Sequence, residues 1–397
     1  MASVNAGAQH AHNVFGIRHL EPIHHPDHPQ HRKNNFDRLY GQADREHMHA
    51  KMSRREMLSP IESLHRILEG NRVHSRRVEK FLLEGKMPAE IKCLLLICAD
   101  ARMGGMFRFD DFAKEGIVPV YVAGNVAEVF KNDRMKELLG KLAEKSSIII
   151  MGHSKCGAVH CANEKENFSS DKHRNIHGLL ECVHHEEEGN VREQARKLNA
   201  SKELANARKG KEISVACAFA DIVGKTPSIE IRGRAWEAEK SFISRLSAQF
   251  EEANRGQVLS ESQYAHAVVI SDPSCGFDAR EIANCGANEI FCISAASSAD
   301  NAKAVASAEM ALAGMLDVHM IASAEYSITH NSTRHIVVVH EEFEKIEAQI
   351  IRDSEIIRDA VISGTVEITA MGYNTKTGLL SPLRHLVNQD AAGIAAP

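Results

Sequence analysis

No run of apolar residues in this chain approaches the ~18 that a helix needs to cross a bilayer, so a transmembrane helix is not expected. The segment Met1 to Gly16 also lacks the apolar core of a secretory signal. Positive charge is not in excess: 48 Lys and Arg against 53 Asp and Glu leave a formal net charge of −5. That balance removes the basic field that a nucleic acid or an anionic membrane surface would require. Cysteine is sparse, nine in 397 residues, too few for a disulfide scaffold. Cys93, Cys98, Cys217 and Cys292 lie inside apolar runs, where reduced thiols behave as small hydrophobes. A reducing, cytoplasmic compartment is therefore expected.

What is present is ordinary globular material, 43% hydrophobic and 25% charged, in a chain long enough for two domains. The unusual count is 23 histidines. Nine precede residue 50: His10, His12, His19, His24, His25, His28, His31, His47 and His49. With Pro22, Pro26 and Pro29 and no apolar periodicity, residues 1–58 are expected to be a His-rich arm.

Order is expected to begin at Ser59-Pro60-Ile61-Glu62, a capping sequence with proline at the first helical position. Ile61, Leu64, Ile67 and Leu68 recur at helical spacing, and Gly70 is expected to end the run before a second helical stretch at Val78 to Leu83. Ile91 to Cys98, Val118 to Val122 and Ser147 to Met151 are continuous apolar runs of strand length, as strands covered on both faces require. A helix over Arg134 to Lys145 lies between the last two, with Met135, Leu138, Leu139 and Leu142 on one face. A polar helical region follows Cys156, then a strand at Ile213 to Phe219. This alternation predicts an α/β fold built on a mainly parallel sheet. The second half repeats the order, with strands at Ala265 to Ser271, Glu289 to Ala295, Ile336 to Val339 and Thr365 to Ala370. Helices are expected at Ala302 to Leu316, Ala322 to Ile328 and Lys345 to Val361. Two copies of one fold are expected, at residues 59–245 and 246–397.

Two motifs stand at the carboxyl ends of predicted parallel strands, where ligand sites of open α/β sheets lie. One is Cys98-Ala99-Asp100-Ala101-Arg102, and the other is Gly152-His153-Ser154-Lys155-Cys156-Gly157. Cys98, His153 and Cys156 offer two thiolates and one imidazole, a donor set suited to zinc with a fourth position left open. Asp100 is placed to accept a hydrogen bond from a metal-bound water, with Arg102 holding its carboxylate.

These motifs resemble those of β-class carbonic anhydrases. The likeness runs from Leu68-Glu69-Gly70-Asn71 through Cys98-x-Asp100-x-Arg102 and Ala123-Gly124-Asn125 to His153-Ser154-Lys155-Cys156-Gly157-Ala158-Val159, ending near Ile213 to Gly224. It implies that Cys98, His153 and Cys156 are zinc ligands and that Asp100 and Arg102 form a catalytic dyad. It further implies a β-carbonic anhydrase-like mixed, mainly parallel sheet flanked by helices, and reversible hydration of CO2 to bicarbonate by zinc-bound hydroxide. Departures occur around the site. Tyr121 and Val122 replace the family's Arg-Asn, Met103-Gly104 replace Val-Pro, and Phe109-Asp110-Asp111 lacks a pocket glutamine. Hydrolysis of carbonyl sulfide or carbon disulfide on the same zinc is the alternative activity, and a non-catalytic binding or scaffold protein is the alternative class.

The second half resembles the same family with its ligands lost. Val268-Val269-Ile270-Ser271-Asp272-Pro273-Ser274 aligns with the first motif, with Ile270 for the cysteine and Ser274 for the arginine. His340-Glu341-Glu342-Phe343-Glu344 stands in place of the second. Since family members pair so that each subunit walls the other's pocket, the fused copies are expected to form a pseudo-dimer within one chain. The expected partners are CO2 and bicarbonate, with no nucleic acid and no membrane, in a homo-oligomer of such chains.

Overall fold

In the computed structural model the described residues are 60–83, 90–103, 116–223, 228–253, 265–273, 279–285, 289–295, 302–312, 335–339, 350–364, 366–374 and 376–386. The His-rich arm, Phe109-Asp110-Asp111, Ser274, Cys275, the helix expected at Ala322 to Ile328 and the run His340 to Glu344 lie outside them.

A helix, α1 (Pro60–Leu83), leads into strand β1 (Ile91–Ile97), and β2 (Ile117–Tyr121) follows. Helix α2 (Asp133–Gly140) is capped by the Asn132 side chain, which accepts from Arg134 N. The long strand β3 (Leu142–His153) comes next. Helices α3 (Gly157–Asn163), α4 (Arg174–Leu180), α5 (Glu187–Asn199) and α6 (Lys202–Ala207) then lead to β4 (Glu212–Asp221) and β5 (Ser228–Ile231). Helix α7 (Glu237–Ala253) packs on β5. Strands β1 to β4 are parallel in the order β2-β1-β3-β4, and β5 closes the edge antiparallel to β4. All five residues of β2 and the last eight of β3 are buried, which is why these strands read as unbroken apolar runs.

The second half contributes β6 (Ala267–Ser271), α8 (Ala279–Ile282), β7 (Ile290–Ser294), α9 (Ala302–Leu312), β8 (His335–Val339), α10 (Glu355–Ile362), β9 (Glu367–Asn374) and β10 (Leu379–Leu386). Its sheet has the order β7-β6-β8-β9-β10, parallel except for β10, which runs antiparallel to β9. Strand order and direction match those of the first sheet, position for position. Residues 58–397 form one compact unit. One apolar cluster within it unites Ile67, Val78 and Ile149 of the first half with Val269, Ile282 and Met371 of the second. No helix among the described residues is long and apolar enough to cross a membrane.

Three local expectations are corrected. Gly70 does not end a helix, because α1 runs through it to Leu83. The glycine is there for space: a Cβ on it would lie 1.8 Å from the carbonyl oxygen of Ala283 in the second half. Leu142 does not extend α2 but opens β3, pairing with Ile91 across the sheet. The helix expected from Lys345 to Val361 is interrupted at Ser354, whose hydroxyl accepts from Ile357 N and caps α10.

Candidate metal centre

Cys98 leaves the end of β1 and is fully buried. Its sulfur accepts from Gly124 N at 3.4 Å. Gly124 has φ +67, and a Cβ there would meet Val183 Cγ2 at 2.7 Å, so only glycine brings this amide to the sulfur. His153 is the last residue of β3, paired in register with Ala220 of β4. Lys155 adopts a left-handed conformation, φ +56, and this turn carries the chain round so that Cys156 faces the same point as His153. Cys156 precedes α3, and its backbone N–H donates to Glu187 Oε1 at 3.2 Å.

The three candidate ligand atoms lie within 4.8 Å of one another, and all three residues are buried. Among the described residues no other group of three such side chains is brought together. The Cys98 and Cys156 sulfurs are 3.9 Å apart, so one thiol donates to the other. That contact holds Cys98 well below the usual thiol range and pushes Cys156 well above it. Without a cation, one thiolate in this buried place forbids the second.

His153 Nδ1 is 3.0 Å from the Ser154 carbonyl oxygen, which only accepts, so Nδ1 carries the proton. Nε2 is left with its lone pair, buried and without a hydrogen-bond partner, facing the two sulfurs. Burial lowers the affinity of this imidazole for a proton, but Asp100 and Cys98 beside it outweigh that and raise it. An imidazole, a thiolate and a thiol converging in one dry place fit a soft divalent cation, which would take the place of their protons.

Asp100 and Arg102 are both fully buried and form a bidentate pair. Arg102 Nε donates to Asp100 Oδ1 at 3.0 Å and Nη2 to Oδ2 at 2.6 Å. The backbone N–H of Arg102 also reaches Oδ1, at 2.9 Å. Burial pushes the Asp100 carboxyl up, but the Arg102 guanidinium and His153 overcome this and hold it below its ordinary value. Arg102 Nη2 also donates to the Lys155 carbonyl oxygen at 2.7 Å, tying the first motif to the second. Asp100 Oδ2 lies 3.6 Å from His153 Nε2, which sets a carboxylate at the rim of the ligand cluster.

All five residues singled out from the motifs therefore meet in one place. Gly124 N, Glu187 and the Lys155 carbonyl complete the surroundings. Glu187 and the carbonyl were not foreseen, since neither carries a sequence signal of its role. In the second half, Ile270 stands in β6, paired with Ile293 and Val338. Asp272, which follows β6, is met by Arg134 Nε of α2 at 3.2 Å. Its guanidinium partner thus comes from the other half of the chain.

Residues 93–253 match the family model described as carbonic anhydrase. The match begins in β1, ends with α7 and includes all five motif residues, while α1 and residues 254–397 fall outside it. Among solved structures, that of the beta-carbonic anhydrase CcaA is similar over 45% of this chain and 91% of its own, at 15% identity and a TM-score of 0.28. No curated protein sequence matches the chain.

Proposed function

We propose that this protein is a zinc-dependent carbonic anhydrase of the β type, catalysing reversible hydration of CO2 to bicarbonate. The observation that carries the reading is the buried Cys98, His153 and Cys156 cluster with the Asp100–Arg102 pair at its rim. Cys98, His153 and Cys156 would hold the metal. Bound there, zinc lowers the pKa of a water molecule and makes hydroxide available at neutral pH.

The chain's own residues do the rest. Asp100 Oδ2 accepts a hydrogen bond from the nucleophile and turns its lone pair towards CO2. Arg102 occupies the other carboxylate positions, so Asp100 stays ionised and cannot rotate away. Apolar neighbours of the two cysteines, among them Val122, Val126 and Val159, keep bulk water from the cluster.

The same proposal reads residues 59–245 and 246–397 as two copies of one fold, the second without ligands, paired as a dimer within one chain. It is supported by the matching strand order of the two sheets and by their shared core. Contacts across the halves support it as well, such as Asn71 Nδ2 to the Ile282 and Gly378 carbonyls at 3.1 and 2.9 Å.

The test is zinc content with stopped-flow CO2 hydration on the full chain, on Cys98→Ser and on Asp100→Asn. The expected result is about one zinc per chain in the wild type, loss of zinc and activity in Cys98→Ser, and retained zinc with a drop of roughly 100-fold in Asp100→Asn. Bound zinc without CO2 hydration, with sulfide released from carbonyl sulfide, would move the assignment to that hydrolysis. Wild-type protein that binds no zinc would end the reading.

A further inference from the structure

We infer that Arg280, in the second half, is a positioning residue for the Asp100 carboxylate. The inference rests on the carbonic anhydrase reading and assigns the second half a part in that chemistry. Arg280 is 3% exposed, and its Nη2 donates to the backbone carbonyl of Asp100 at 2.9 Å. Its guanidinium lies over the Tyr121 ring, 4.7 Å from the centroid. Taking a cation out of water is costly, and the carbonyl at Nη2 and the π face of Tyr121 offset part of that cost.

The carbonyl it grips has a particular place in the site. Met103 N also donates to it, at 3.1 Å, closing the short turn on which Arg102 sits. The orientation of that peptide sets where the Asp100 side chain leaves the backbone. It also sets where Arg102 N points when it donates to Asp100 Oδ1. Rotating the peptide would displace both members of the pair together. Tyr121, beneath the guanidinium, ends β2 next to Val122, whose N–H and carbonyl bond Ile97 and Ala99 on either side of Cys98. Arg280 therefore braces the ligand loop at two points from outside it.

Arg280 is itself held. It belongs to α8, and its carbonyl accepts from Cys285 N at 2.8 Å. Ile282, two residues on, accepts from Asn71 of α1. A chain of contacts thus runs from α1 of the first half through α8 of the second and back to the candidate catalytic turn.

The experiment measures kcat and KM for CO2 hydration, zinc per chain and the melting midpoint in full-length wild type, Arg280→Gln and Arg280→Lys. An interaction that only orients the reacting groups lowers kcat and kcat/KM in equal proportion and leaves KM unchanged. Arg280→Gln is expected to retain zinc and lose about tenfold in kcat, as loss of a group supporting a metal site typically does. Arg280→Lys keeps one cationic donor but not the planar stack, and its expected loss is about two- to threefold. If Arg280→Gln fails to fold, Arg280→Lys decides alone: lower kcat at wild-type KM, zinc and melting midpoint supports the role, and wild-type kcat overturns it. Folded Arg280→Gln with wild-type kcat overturns it equally. Wild type that holds zinc without hydrating CO2 overturns the underlying reading instead.

Discussion

At the scale of single residues, the centre is a problem of protonation solved by neighbours. Ser154's carbonyl selects the tautomer of His153, Arg102 keeps Asp100 ionised in a buried place, and Gly124 N supports the Cys98 sulfur. Elsewhere the same physics works against charge. Glu309 on α9 is fully buried, with Oε1 accepting from Asn175 Nδ2 of the first half at 2.8 Å. Burial pushes its carboxyl up to about 7, and the bonds from Asn175 and Ser354 and the charge of Arg174 pull it back only in part. Between the ordinary glutamate value and about 7, the folded chain holds a proton that the unfolded chain releases. Stability should therefore fall as pH rises through that interval and level off above it, by about 2–3 kcal/mol in all. Glu309→Gln keeps the shape and removes the slope. It is expected to melt higher than wild type at pH 8 and at the same temperature near pH 4, while parallel pH curves for the two proteins would contradict the assignment.

At the scale of elements, the notable piece is α1. Its apolar spacing is legible in the chain, and so is its start at Pro60. Its length is not, because Gly70 in mid-helix reads locally as a stop. The glycine is retained for close approach, since a Cβ would come within 1.8 Å of Ala283's carbonyl oxygen. Beside it Asn71 accepts from Leu380 N at 2.8 Å, and Ser63 and His74 bond to His266 and Tyr373. The helix at the start of the first half is thus anchored on the second. Gly70→Ala is expected to cost about 1–3 kcal/mol, as overpacking does, because both clashing groups are backbone. Gly140→Ala in α2, with open space around it, should be neutral or stabilising by about 0.5 kcal/mol. Denaturant midpoints of the two variants check the contrast, and equal midpoints would mean that α1 docks differently.

At the scale of the whole molecule, the two sheets depend on each other. Their edge strands meet where Tyr121 N of β2 donates to Ser294 Oγ of β7 at 2.8 Å, and next to this Ala123 N donates to Ser307 Oγ of α9 at 3.0 Å. The cluster lying between them draws on both halves, so neither buries its apolar surface alone. Residues 58–397 should accordingly unfold in one transition. Trp236, the chain's sole tryptophan, reports on the first half, and far-ultraviolet circular dichroism reports on both. In metal-stripped protein the two curves are expected to coincide. A separate, earlier loss of the circular dichroism signal would show a second half that melts by itself.

The sequence determined the strands and marked the three side chains, Cys98, His153 and Cys156, that the fold brings together. Buried parallel strands must be apolar on both faces, and a soft metal needs thiolates and imidazole at strand ends, so both leave marks that a linear reading detects. The strands of the second sheet were legible for the same reason, since each sheet needs its own alternation of apolar runs and helices. Tertiary structure alone decided what crosses between the halves. Leu142 became a strand residue because Ile91 was there to pair with it. Arg280, 180 positions from Asp100, bears on it only because α8 is packed against the turn. A contact to a backbone carbonyl asks nothing of the side chain that owns the carbonyl, and so it leaves no pattern in the chain to be read.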